Sequence, residues 1–182
     1  MLGLMQDHPL LISNLIEFAA RHHAKQEIVS RRIEGDLHRY TYHDAAIRSR
    51  RLAHALDALG LAQGARVATL AWNGYRHFEL YYGVSGSGRV VHTLNPRLPP
   101  DQLVWIVNDA EDEVFCFDMS FLPLVKAVAA KCPTVKHWVA LCEADALPAD
   151  TGIPGLVSYE AWIAPHSGEY AWPRLDERTA AA

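Results

Sequence analysis

The chain is short of the residues from which stapled, metal-built or nucleic-acid-binding proteins are made. Three cysteines in 182 residues, Cys116, Cys132 and Cys142, are too few and too unevenly spaced for a disulfide framework or a zinc ribbon. Neither C-x-x-C nor H-E-x-x-H occurs. Seventeen Lys and Arg against 21 Asp and Glu give a net charge of −4, with the basic residues scattered, so there is no electrostatic footprint for nucleic acid. No run approaches the roughly 20 apolar residues of a membrane-spanning helix. The opening MLGLMQDHPLLISNLIEFAA lacks a basic flank and carries Asp7 and Glu17 inside its apolar stretch, which does not suit a secretion signal. A reduced, cytoplasmic protein is expected.

What is present is the balance of a globular domain: 50% hydrophobic and 21% charged residues. A chain of this length can bury roughly 70% of the surface its unfolded form exposes. Periodicity predicts an amphipathic helix over Leu10–His22, with Leu11, Leu15, Phe18 and Ala19 on its apolar face. Glu27–Arg32 and Leu37–Thr41 flank Glu34-Gly35-Asp36 and predict a hairpin. Thr41 is placed to cap a helix, with Asp44 three residues on in a variant of the capping box. Along that helix Ala45, Ser49, Leu52, Ala53, Leu56 and Leu59 form the expected buried face. Arg48, Arg50, Arg51 and Asp57 are expected to face water, and Gly60 to end the helix.

From there strands and helices alternate. Strands are predicted at Arg66–Ala71, Arg89–Leu94, Glu113–Asp118 and Val135–Leu141, and helices at 75–85, Pro100–Asp109 and from Ser120 to Cys132. The alternation indicates βαβ units: an α/β fold with a mainly parallel sheet, helices on both faces, and an N-terminal hairpin. Residues 1–142 make up this α/β part. Residues 143–175 read as an irregular connector carrying Pro148, Pro154, Pro165 and Pro173, with one short helical candidate at Ser158–Ile163. Residues 176–182, DERTAAA, read as a charged turn and the start of a further strand.

Few residues suggest chemistry. Gly83, Gly86 and Gly88 invite comparison with a phosphate loop, but they close a helix and enter a strand, the reverse of the order that presents free N–H groups to an anion. Close packing accounts for them better. Ser85 and Ser87 do not fit G-x-S-x-G and occupy the wrong kind of turn for a nucleophile elbow. Ten histidines show no metal-ligand spacing. His92 ends the second βαβ strand, at the sheet edge where α/β proteins bind ligands. It is a candidate substrate contact, or else a histidine hydrogen-bonded within the domain. No nucleophile with its base, carboxylate pair or phosphate cradle is visible.

The stretch ARVATLAWNGYRHFELYYGVSGSGRVVHTLNPRLPPDQLVWIVNDAEDEVFCFD resembles the AMP-forming acyl-CoA synthetases of the adenylate-forming superfamily, as does FLPLVKAVAAKCPTVKHWVAL. The likeness is strongest to medium- and long-chain fatty-acid–CoA ligases. HTLNPRL at His92–Leu98, N-x-A-E-D at Asn108–Asp112 and YTYHDA at Tyr40–Ala45 carry it most specifically. Ala65 stands where the family usually has an acidic residue, and Arg89 where it usually has a small one.

The resemblance implies an incomplete N-terminal domain of the adenylate-forming fold, in an enzyme that joins a fatty acid to coenzyme A at the expense of ATP with Mg²⁺. It places the phosphate loop, the adenine and ribose contacts and a catalytic lysine downstream, in segments that do not match any residue here. Asp176–Ala182 resembles the approach to that phosphate loop. The expectations are therefore a parent ligase, a chain inactive by itself with no tightly held cofactor and no catalytic residue, and self-association through Met1–Ala24. The rival is a stand-alone binding or dimerisation module derived from the same fold.

Overall fold

The computed structural model describes residues 3–182. Helix α1 (Ile12–His22) leads into a two-stranded antiparallel hairpin, β1 (Glu27–Arg31) and β2 (Leu37–Thr41). The chain continues as α2 (Tyr42–Ala58), β3 (Arg66–Leu70), α3 (Tyr75–Gly86), β4 (Val90–Thr93), α4 (Pro100–Asp109) and β5 (Val114–Phe117). It ends through α5 (Leu122–Val128), β6 (His137–Ala140), β7 (Val157–Ser158) and α6 (Tyr159–Ile163). The main sheet runs β4-β3-β5-β6-β7, every pairing parallel. Among the described residues no helix is long and apolar enough to cross a membrane.

The period of two along each strand builds two cores back to back. Val67, Val114, Cys116 and Val139 point to one face, where α2, α3 and α6 cover them with Leu52, Leu56, Leu80, Val84, Tyr159 and Ile163. Their neighbours Ala68, Leu70, Phe115, Phe117 and Ala140 point to the other, under Leu103 and Val107 of α4 and Val125 and Val128 of α5. A third cluster, Ile16, Tyr40, Ala45, Ala46 and Tyr75, ties α1 and the hairpin to α2 and α3.

The Thr41 cap forms as a full capping box: Asp44 N donates to Thr41 Oγ1 at 3.3 Å and Thr41 N to Asp44 Oδ2 at 2.9 Å. Gly60 follows α2 with φ of +71°, the left-handed conformation that ends a helix. Gly83 and Gly86 serve packing, and Gly88 makes the turn into β4 with φ of +83°. A Cβ on Gly83 would lie 2.6 Å from Leu52 Cδ2 and 2.9 Å from the Ser49 carbonyl, so α3 meets α2 nearly backbone to backbone. One on Gly86 would lie 2.8 Å from the Trp172 ring.

Several expectations are corrected. On α1 the buried residues are Ser13 and Ile16, while Leu15 and Phe18 stay more than half exposed, because the contact with α2 and α3 runs along a different stripe. The helix expected from Ser120 is broken into a 3₁₀ turn (Met119–Phe121), α5 and a second 3₁₀ turn (Ala129–Lys131). Pro123 in the first turn of α5 accounts for the late start. Arg48 and Arg50 do not simply face water; their long side chains fold back onto carboxylates of other elements. Arg89 is buried, donating to Asp57 Oδ1 at 2.6 Å and to the Leu61 carbonyl at 2.8 Å, so the junction is filled by an ion pair.

Within 143–175 the helical candidate forms as α6, capped by Ser158, and β7 adds a fifth strand of two residues. Beyond it the chain runs as a strap over the helices. Glu169 O meets His54 Nε2 at 2.6 Å, and Trp172 Nε1 donates to Glu17 Oε1 at 2.7 Å. Leu10 N donates to Glu177 Oε2 at 2.9 Å. Residues 176–179 form a turn closed by Thr179 N to Asp176 O, and Ala181 O accepts from Val91 N at 3.0 Å on the open side of β4.

Candidate functional site

In an open parallel sheet the loops at the carboxyl ends of the strands form the binding edge. Here β3 and β5 end side by side, and their loops are bonded together. Trp72 N donates to Asp118 Oδ2 at 2.7 Å and Trp72 Nε1 to Ser120 Oγ at 2.9 Å. Gly74 then opens α3, and the hairpin tip leans over this corner. The result is a cleft with Trp72–His77 and Asp118 on one side and Arg31–Glu34 on the other. Asp118 is 8% exposed, and burial raises its carboxyl to about 6. His77 Nε2 lies 3.1 Å from Thr69 Oγ1, and burial lowers the pKa of the ring, favouring its neutral form.

Beside the cleft lies a lattice of charges. Glu79 is fully buried; its Oε1 accepts from Arg48 Nε at 2.7 Å and its Oε2 from Tyr159 Oη at 2.8 Å. Burial raises the Glu79 carboxyl even against these two partners. Arg48 continues to Glu160, which also accepts from Tyr75 Oη and Arg76 Nε, both at 2.8 Å. Burial works to raise Glu160, but Arg48, Arg76 and Tyr75 hold it below its ordinary value. Arg76 further donates to Glu34, Glu143 and the Leu141 carbonyl. Tyr75 lies under both guanidinium groups, which sit 5.5 and 4.7 Å from its ring centroid.

His92 stands away from this corner. Its Nδ1 lies 2.9 Å from the buried Asp112 Oδ2, and that hydrogen bond raises the pKa of the ring, which is a quarter exposed. The internally bonded alternative thus describes one of its two nitrogens. Cys116, Cys132 and Cys142 are free, buried thiols raised by burial, Cys142 to about 11. Among the described residues no group of three or more His, Cys, Asp or Glu could hold a metal ion.

Of the three cations lining the cleft, Arg76 already faces three carboxylates and Arg32 two, while exposed Arg31 has no ion pair among the described residues; Glu34 and Asp118 would repel an added anion. Asp118 was not singled out in the sequence, although it closes the predicted strand Glu113–Asp118. Nor was the lattice legible, because Arg48 meets partners 31 and 112 residues away.

Residues 15–169 match the AMP-binding enzyme family. The chain belongs to that family. Over its whole length it is 47% identical to the 3-methylmercaptopropionyl-CoA ligase of Ruegeria pomeroyi, covering 34% of that protein. It is 41% identical to the medium-chain-fatty-acid–CoA ligase of Ectopseudomonas oleovorans, again over the whole chain and 33% of the relative. With the long-chain-fatty-acid–CoA ligase of Thermus thermophilus it shares 42% identity across 97% of the chain and 31% of the relative. It therefore spans about a third of the length of these curated relatives. Among solved structures it is similar in fold to the anthranilate CoA ligase AuaEII in complex with anthranoyl-AMP (TM-score 0.79, 18% identity, 94% of this chain and 30% of that one). The N-terminal domain of FACL13 from Mycobacterium tuberculosis is similar too (TM-score 0.76, 21% identity, 93% and 40%). As a member of the AMP-binding enzyme family, the chain has the α/β architecture found in the N-terminal domains of these ligases.

Proposed function

We propose that this chain is the N-terminal portion of an AMP-forming ligase that joins a fatty acid to coenzyme A. The observation that carries this is identity of 41% to 47% along 97% to 100% of the chain to three proteins named as CoA ligases. In such a reaction a carboxylate oxygen attacks the α-phosphorus of ATP, the bond to the β-phosphate breaks and pyrophosphate leaves. The thiol of coenzyme A then attacks the acyl carbonyl and AMP departs. ATP, Mg²⁺ and coenzyme A are cofactors and substrates of the whole enzyme. The share of this chain is structural: the buried cation at the carboxyl edge, Arg76, is already bonded to three carboxylates, whereas phosphoryl transfer needs donors aimed at the reacting phosphate.

A second acid is favoured by one observation. The 47% match is to enzymes named for a short thioether acid, ahead of the 41% and 42% matches to fatty-acid ligases. Acid-dependent exchange of pyrophosphate into ATP tests both readings. The protein encoded by the complete reading frame is expected to exchange with octanoate or with 3-methylmercaptopropionate, and the 182-residue chain with neither. Exchange by the short chain would overturn its structural role, and no exchange by the complete protein with any carboxylic acid would overturn the ligase assignment.

A further inference from the structure

The hairpin tip is joined to the cleft in a different way from its stem. The stem is packed: Ile28 and Tyr40 belong to the cluster with Ile16, Ala45 and Tyr75. The tip is braced internally. Arg32 N donates to Asp36 O at 2.9 Å, Gly35 N to Arg32 O at 3.0 Å with φ of +100° at Gly35, and the Arg32 guanidinium grips both Asp36 oxygens. Across the cleft, its hydrogen bonds are two ion pairs, Arg32 Nη1 to Glu143 Oε1 and Arg76 Nη1 to Glu34 Oε1, each 3.0 Å.

Those two ties are the weak ones of the lattice. Glu143 is 43% and Glu34 27% exposed at the side chain, against 0% for Glu79. Partly exposed pairs contribute little and weaken with salt. What usually makes an ion pair hard to break is the buried charge it leaves behind. Here nothing is left behind. Without Glu34, Arg76 still donates to Glu160, Glu143 and the Leu141 carbonyl, and without Glu143, Arg32 still holds Asp36.

The geometry points to the hairpin tip, Arg31–Glu34, as a hinged latch over the carboxyl-edge cleft, fastened by two solvent-screened ion pairs and released without unfolding the domain. Opening widens the cleft over Tyr75–His77 and Asp118, the buried part of its wall; Trp72 and Asn73 are exposed already. The latch follows from the ion pairs and packing alone and does not depend on which acid the enzyme activates.

A distance measured across the cleft tests it. Spin labels on Ile33→Cys at the tip and Asn73→Cys on the wall, both exposed positions, are expected to report one short distance at about 0.05 M salt and a second, longer population at about 1 M. The double variant Glu34→Gln with Glu143→Gln is expected to show the longer population already at low salt. In both cases the amides of residues 67–70 in β3 should keep their hydrogen-exchange rates. A single unchanged distance under all three conditions would overturn the latch. So would a longer distance that comes only with faster exchange in β3, which would mean that the tip opens only when the domain unfolds.

Discussion

Tyr159 Oη donates to Glu79 Oε2 at 2.8 Å across 80 residues of sequence, and neither side chain is exposed to solvent. The bond joins the start of α6 to the middle of α3, so the end of the sheet depends on a carboxylate carried by a helix that precedes β4. Replacing Tyr159 by Phe removes the donor and leaves a buried carboxylate with Arg48 alone. The expected loss is about 1.5–3 kcal/mol, as for a hydrogen bond to a charged group. Urea unfolding of Tyr159→Phe, Glu79→Gln and the double variant would measure the coupling, expected at about 1 kcal/mol or more. Additive losses would mean that the two residues stabilise the fold independently.

Gly83 offers a test of how closely α3 approaches α2. In a helix interior Gly→Ala normally gains about 1 kcal/mol from propensity. At Gly83 the new Cβ would meet Leu52 at 2.6 Å and the Ser49 carbonyl at 2.9 Å, and the carbonyl is backbone and cannot swing aside. Overpacking of this kind costs about 1–3 kcal/mol, so Gly83→Ala is expected to be less stable than the unaltered chain. Thermal denaturation decides: a variant as stable as its parent would show that the crossing has slack.

Asp118 gives the clearest pH dependence. Its folded value, about 6, lies above the ordinary 3.8 because of burial. Between those values the folded chain holds a proton that the unfolded chain has lost, so this group's contribution to stability falls as pH rises from about 4 to about 6. Asp118→Asn keeps an oxygen for Trp72 N and removes the charge. It is expected to be more stable than the parent at pH 7 by about 1–3 kcal/mol and to lose that advantage near pH 4. Unfolding both proteins at the two pH values measures it, and an advantage of equal size at both would rule out ionisation as the cause.

The parallel sheet was legible from strands alternating with helices along the chain, and the capping box from a Thr three positions before an Asp. Resemblance supplied the family. Two features were not legible. β7 contains only Val157 and Ser158, too few residues to show a period. Arg48 lies at the margin of the stripe formed by Ala45, Ser49 and Leu52, where helical spacing cannot distinguish a side chain reaching water from one reaching Glu79 and Glu160. His92 was singled out for its place at a strand end, but its Nδ1 is engaged by Asp112, twenty residues further on. Charge pairing across elements carries no sequence period.

The strap over the helices has a consequence for how the chain is made. Helix α1 leaves the ribosome before the strap, so Glu17 awaits Trp172 and Leu10 awaits Glu177, separated from them by 155 and 167 residues. At synthesis rates of roughly 5–20 residues per second, α1 waits roughly ten to thirty seconds for those contacts. The βαβ core can close behind it in sequence order, so α1, made before that core, completes its native contacts after it.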